Sequence, residues 1–291
     1  MARRTQMITT FYKILLGTSL VAVTTGIVGC FTLLNKQSLL GDTIAHATLP
    51  GLTGMFLMIL QKQYALLLCG AGTTGLLGAL LVQSITQTTK LKKDAALGIV
   101  LSTFFGVGII FLTMIQKLPT AHQAGIDKFL FGQAATLLNT DIMILAIISC
   151  IVLLTIIVAW KELKIISFDH NFAQAIGLPI KKIHALLLVV IVLTVIVGLQ
   201  TVGLILMSSF LIAPAAAARQ WTCKLHVMIF LSIIFSLIAT ITGTIISCSY
   251  PHVPTGPTIV IIATMITLIS IIIAPAGIIA SQFRQRYRLR P

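Results

Sequence analysis

Acidic residues are almost absent from this chain. Only six of its 291 residues are Asp or Glu, and charged residues of both signs make up 9%. Catalysis by paired carboxylates needs two acids held close together, and six scattered acids do not favour it. The HExxH and GxSxG patterns of hydrolases do not occur either. The sequence therefore argues against an enzyme.

Several other signals are also missing. The five cysteines are scattered and contain no CxxC pair, so neither a disulfide framework nor a zinc knuckle is indicated. No GxxxxGK[ST] phosphate loop occurs, so the chain carries no nucleotide site of that kind. The formal charge is +14, but aromatic residues do not alternate with the basic ones, and we therefore expect no nucleic acid partner. Basic loops that face anionic lipid explain the charge better.

Long apolar runs dominate what is present. Hydrophobic residues make up 57% of the chain and lie in runs of about 20 residues, the length that spans a bilayer as a helix. The period-two alternation of a β-barrel is absent. We therefore predict an all-α, polytopic helical membrane protein with about eight to nine transmembrane segments in a single domain, 1–291. The nine predicted segments are 14–34, 41–60, 64–85, 95–115, 141–160, 184–199, 202–218, 227–247 and 257–280.

The apolar tract from Ile183 to Ala218 is too long for one crossing, and the polar and glycine residues at 198–203 predict a break. The second half is short enough to be partly re-entrant. An N-terminus outside the cell places most of the twenty Lys and Arg inside, including the basic tail at 281–291. Arg3, Arg4 and Lys13 favour the opposite orientation. Glycines recur at helical spacing from Gly70 to Gly78, and they predict close packing between helices.

The stretch Gly41–Gly51 holds an Asp and a His four residues apart, on one face of a helix. Carboxylate and neutral imidazole are ligands for zinc, manganese and iron(II). Asp42 and His46 are therefore candidate metal ligands, and a second copy of the chain or water is needed to complete the shell. The alternative is that Asp42 caps the helix and His46 bonds within the bundle. His252, in the outer loop between Pro251 and Pro254, ranks below them.

The longest predicted inner loop, about 161–182, contains a short helix. Asp169 is a good N-cap, and Gly177 followed by Pro179 is a good stop. The helix between them is predicted to display Phe172, Ala173 and Ile176. Such a helix either docks a soluble partner or lies on the bilayer.

Six stretches resemble the signatures of metal-ion ABC transporter permeases, the ABC-3 type of membrane subunit. Gly41–Gly51 is similar to the family pattern GDalsHavLPG. The others follow in order along the chain, at Lys93–Ile99, Phe168–Pro179, Leu199–Gly203, Ile212–Arg219 and Pro254–Thr258. The matches run in order over about residues 15–280.

The resemblance implies a fold like that of type II ABC importer permeases in the bacterial inner (cytoplasmic) membrane. It implies a non-catalytic subunit that passes manganese, zinc or iron and binds no permanent cofactor. The implied partners are an ABC ATPase, an extracytoplasmic metal-binding protein, membrane lipid and a second permease subunit, either identical or related. The residues that it implies for ATPase docking are Phe168, Asp169, Phe172, Ala173, Ile176 and Gly177.

Two other classes stay open from the residues alone. A self-sufficient secondary transporter needs intramembrane ionisable groups that couple to an ion gradient, and Asp42 is the one convincing intramembrane acid. An intramembrane enzyme needs turnover of a substrate by the chain itself. Dependence of transport on ATP hydrolysis by a partner separates the permease from both.

Overall fold

The computed structural model describes residues 2–60, 63–117, 132, 138–199, 201–250, 253–275 and 277, with residues 2–10 described by their backbone. These residues form eleven helices and no strand. The predicted basic tail at 281–291 and His252 lie outside the described residues. The helices are α1 (Ala2–Leu34), α2 (Ser38–Ile59), α3 (Tyr64–Thr88), α4 (Lys93–Gln116), α5 (Asn139–Val158), α6 (Trp160–Phe168), α7 (His170–Ala175), α8 (Ile180–Leu199), α9 (Leu204–Trp221), α10 (Leu225–Ser249) and α11 (Thr255–Ile273).

Nine of these described helices have 18 residues or more, and the all-helical prediction is confirmed. Eight are long and apolar enough to cross a membrane. The ninth long helix, α2, has 22 residues and extends for about 33 Å at 1.5 Å per residue. It packs against α3, α4, α8 and α9. Because its neighbours shield it, α2 tolerates the Asp, His, Thr and Pro residues that a lipid-facing helix avoids.

Glycines let α3 approach α2 closely, as the sequence predicts. A Cβ built on Gly78 lies 2.7 Å from the Cβ of Ala47, and one on Gly75 lies 2.9 Å from Cγ2 of Thr48. At the crossing itself, Gly51 of α2 meets the backbone of Gly70 in α3 with no room for a side chain. On the α4 side, a Cβ at Gly108 lies 2.7 Å from Leu49. These contacts hold the middle of α2 tightly against α3 and α4.

The break predicted at 198–203 is confirmed. Helix α8 ends at Leu199, and α9 begins at Leu204 after Gly203, whose φ of 96° favours glycine. The 18 residues of α9 extend for about 27 Å, close to the thickness of a bilayer core. Among the described residues, α9 is therefore one continuous helix that contains Pro214.

The short helices α6 and α7 lie at the same end of the bundle as the turn between α1 and α2. Asn35 in that turn donates a hydrogen bond of 2.9 Å from Nδ2 to Oγ of Ser167 in α6. The starts of α4 and α8 lie there too, because Lys93 and His184 are close enough to interact electrostatically. We call this the α7 end. Loops that carry Lys36, Lys93 and other basic residues therefore gather at one end of the bundle, the pattern expected of a cytoplasmic face.

Two helices start four or more residues before the predicted segments. Helix α1 begins at Ala2 rather than near Ile14, and α8 begins at Ile180 rather than at His184. Polar residues can extend a helix past its apolar part, and hydropathy does not detect that extension. In α4, Lys92 holds the N-cap position and Asp94 lies in the first turn. There its charge still complements the helix dipole.

Candidate metal site and docking segment

Asp42 and His46 lie in the first half of α2. The helix begins at Ser38 with Gln37 at the N-cap position, so Asp42 is in the second turn. The prediction that Asp42 caps this helix is therefore wrong. His46 lies about 12 Å along the helix axis from Ser38 and about 20 Å from Ile59.

The two side chains face each other with a spacing that suits one metal ion. Oδ1 of Asp42 is 3.5 Å from Nε2 of His46. Two ligand atoms at about 2.1 Å from a tetrahedral metal are about 3.4 Å apart, so the pair needs little rearrangement to share an ion. Among the described residues, no group of three or more His, Cys, Asp or Glu side chains lies close enough to hold a metal. One chain therefore supplies an incomplete shell.

The pair also marks the accessible face of α2. In the single chain, Asp42 and His46 are the partly exposed members of Gly41–Thr53, with side-chain exposures of 37% and 15%. The face continues to the exposed Leu39 toward the α7 end, while Leu49 and Pro50 beyond His46 are buried.

Phe105 of α4 packs on the imidazole of His46. The ring centroids are 4.8 Å apart, and the planes meet at 79°, an edge-to-face arrangement. Such pairs contribute about 0.5–1.5 kcal/mol beyond area burial, enough to favour one ring orientation. The sequence offers no signal for this contact because Phe105 lies in an ordinary apolar run.

We expect Phe105→Leu to weaken metal binding by about three- to tenfold while the protein still folds. Leucine keeps most of the apolar volume but loses the edge-to-face contact that orients His46. Metal binding to the purified chain, measured by equilibrium dialysis, checks this. The matched control is Phe104→Leu, a neighbour that does not stack on His46. Equal effects of the two substitutions would argue against an orienting role for Phe105.

Pro50 changes the backbone at the site. It lies inside α2, four residues after His46, and proline has no N–H to donate to the His46 carbonyl. That carbonyl oxygen therefore lacks its usual helical donor one turn before the proline. The signal for this feature, a proline at i+4 from a candidate ligand, is readable from the sequence.

The segment 161–182 contains the capped helix that the sequence predicts. The carboxylate of Asp169 accepts a hydrogen bond of 2.9 Å from the backbone N–H of Phe172, and Gly177 ends the segment with a φ of 76°. Phe168, Phe172 and Ile176 are each about half exposed, at 52%, 53% and 50%. Ala173 is fully buried, so the prediction that it is displayed is wrong. Helix α7 packs against α6, and its short length leaves one face for packing and one for solvent.

A separate cavity of about 450 Å³ lies between α3, α5 and α8. Its walls are apolar side chains together with Gly72, Cys69 and Thr73, and no charged residue lines it. Neither Asp42 nor His46 reaches it. The cavity is therefore unsuited to a metal ion, and the α2 pair is the better candidate site among the described residues.

A family model described as the ABC 3 transport family matches residues 7–274. The chain belongs to this family. It is 45% identical over 277 residues to "Manganese transport system membrane protein MntC" of Bacillus subtilis, covering 95% of this chain and 64% of that protein. It is 41% identical over 278 residues to "Zinc transport system membrane protein TroC" of Treponema pallidum, covering 95% and 93%. The chain thus spans less than two thirds of the Bacillus protein but nearly all of the Treponema one.

A solved structure gives the same fold. PsaBC from Streptococcus pneumoniae, in complex with Fab, has 35% sequence identity and a TM-score of 0.80, over 91% of this chain and 92% of that chain. The family resemblance inferred from the motifs is confirmed, as is the helical permease fold. The two relatives named above are called manganese and zinc transport proteins. Iron stays a prediction from ligand chemistry.

Proposed function

We propose that this chain is the membrane-spanning permease subunit of an ATP-binding-cassette importer for manganese or zinc, with iron(II) as a third candidate ion. One observation carries the proposal. A carboxylate and an imidazole, 3.5 Å apart, lie on a helix that four other helices surround, in a chain of the ABC 3 transport family. The names of the two relatives support a divalent transition metal as the cargo.

The incomplete shell suits transport better than storage. Conduction needs binding that is favourable enough to admit an ion and weak enough to release it. Two copies of the chain that present the same Asp42 and His46 face to each other would supply four ligands, and water would complete the rest. This polypeptide then performs no chemistry, and its residues bind and release the ion in turn. The second copy is either identical or a related permease.

We assign the supply of energy to a separate ATPase. Phe172 of α7 and Ile176, the C-cap residue of α7, are exposed to solvent at the α7 end, where basic loops also gather. Such an apolar pair on a short capped helix suits a groove in a soluble partner. A metal-binding protein delivers the ion at the opposite end, and His252, outside the described residues, is a candidate contact there. The assembly sits in the bacterial cytoplasmic membrane as a multi-pass protein.

We expect Phe172→Asp to abolish co-purification of the ATPase. A buried aromatic anchor is worth about 2 kcal/mol or more at an interface, and a charge in its place also costs desolvation. The matched control is Asn171→Asp, a neighbour on α7 that is also exposed and receives the same charge. Co-purification is read by affinity capture of the tagged permease. Retention of the ATPase by Phe172→Asp would place the docking surface elsewhere.

Transport itself tests the proposed function. The permease and its ATPase, reconstituted in liposomes with the metal-binding protein, are supplied with ATP, with a non-hydrolysable analogue, or with a proton or sodium gradient alone. We expect uptake of manganese or zinc with ATP and none in the other two conditions. Uptake driven by a gradient alone would favour the self-sufficient secondary transporter.

A further inference from the structure

Two histidines that play no part in the α2 pair meet at the α7 end. His170 is the first residue of α7, and His184 lies in the second turn of α8. Their ring centroids are 5.8 Å apart, with 40° between the planes. His170 is exposed and His184 is partly buried. The two rings belong to different helices, so the fold brings them together.

This centroid separation falls within the range of two histidines that share a zinc ion. With Zn–N distances of 2.0–2.1 Å and tetrahedral angles, the ring centroids of two ligating histidines lie about 5–6 Å apart. Within the described part of the chain, no hydrogen bond occupies either ring, so their nitrogens are free to ligate. Imidazole nitrogen favours zinc over manganese, which prefers oxygen ligands.

We propose that His170 and His184 form a second metal site, which binds zinc and ties the start of α7 to α8. The described residues supply two ligands and no third His, Cys, Asp or Glu, so water holds the other positions and the site is weak. Lys93 at the start of α4 lies close enough to His184 to interact electrostatically, and its positive charge weakens the binding of a dication further. The site therefore fills only when zinc at this end of the protein is abundant.

The consequence for transport rests on the proposed function. The exposed Phe172 of α7 and Ile176, the C-cap residue of α7, form the surface that we assign to the ATPase. A zinc ion between His170 and His184 fixes the position of α7 relative to α8. Zinc that has accumulated on the inner side thus changes how α7 engages the ATPase and provides feedback on import.

The first test measures zinc binding to the purified full-length permease without any transport. Asp42→Asn with His46→Ala serves as the background, so that the first site does not contribute. In that background we expect His170→Ala or His184→Ala to weaken zinc binding by about tenfold or more. Even mutation of a residue that only hydrogen-bonds to a metal ligand typically lowers metal affinity by about 10–100-fold. His226→Ala, which removes another exposed histidine near a helix start, is the control. Unchanged binding in both ligand variants, or an equal loss in His226→Ala, overturns the proposal.

The second test keeps both histidines and removes a nearby positive charge, and it asks whether zinc affinity changes in the predicted direction. Removing the positive charge in Lys93→Gln is expected to tighten zinc binding by about three- to tenfold. Lys92→Gln, its exposed neighbour, is the control and should change binding less. Weaker or unchanged zinc binding in Lys93→Gln contradicts the site. Inorganic phosphate is assayed in parallel, and phosphate binding that Lys93→Gln abolishes would identify an anion site instead.

Because both tests are made on the permease alone, their outcome is independent of whether the protein imports metal. If uptake in liposomes fails but zinc binding depends on His170 and His184, the second site stands and the proposed function does not. If uptake in liposomes succeeds but zinc binding does not depend on His170 and His184, the second site is rejected and the proposed function stands.

Discussion

Replacing Asp42 with Asn and His46 with Ala in the same chain is expected to reduce metal import by at least about tenfold, because both ligands of the α2 face are lost at once. Cells that express the full transporter with the native or the double-variant permease are compared at matched membrane levels. Metal content is measured by mass spectrometry. The element that falls in the variant names the cargo, whether manganese, zinc or iron.

Two controls keep this result interpretable. Co-purification of the ATPase with the double variant shows that the complex still assembles, and His226→Ala removes a histidine away from α2 without touching the pair. If metal content is unchanged in the double variant, Asp42 and His46 are structural residues of α2. The ion contacts must then be sought elsewhere, beginning with His252.

Gly51→Ala is expected to destabilise the bundle strongly. The added Cβ would overlap the carbonyl oxygen of Gly70, and backbone cannot move aside as a flexible side chain does. Overpacking in a rigid interface costs about 1–3 kcal/mol, and here the helices α2 and α3 must separate. The check is the temperature at which half of the detergent-solubilised protein remains monodisperse. We expect this temperature to fall by several degrees.

Gly98→Ala in α4 is the matched control. A Cβ at Gly98 meets nothing within 4 Å, so alanine there gains helix propensity of about 0.5–1 kcal/mol without a clash. The two substitutions add the same methyl group, and their effects should have opposite signs. A Gly51→Ala protein as stable as the native one would show that α2 and α3 are not closely packed at that crossing.

The sequence indicated the apolar helices, the break near Gly203 and the close packing at Gly70–Gly78, because each depends on local composition. It did not reveal that most of α2 is buried inside the bundle. Hydropathy measures how a segment partitions into lipid, and α2 is packed against α3, α4, α8 and α9 along much of its length. Its lower apolar content, which looks like a weak membrane signal, reflects this position.

The candidate site also combines features that the sequence predicts with features that only the tertiary structure determines. The pairing of Asp42 with His46 follows from the sequence alone, since residues four apart share a helix face whatever surrounds the helix. So does the cap that Asp169 provides to α7. The burial of Ala173, the ring of Phe105 on His46 and the meeting of His170 with His184 were decided by tertiary structure. Each depends on how separate helices are rotated and docked, and no local pattern specifies that rotation.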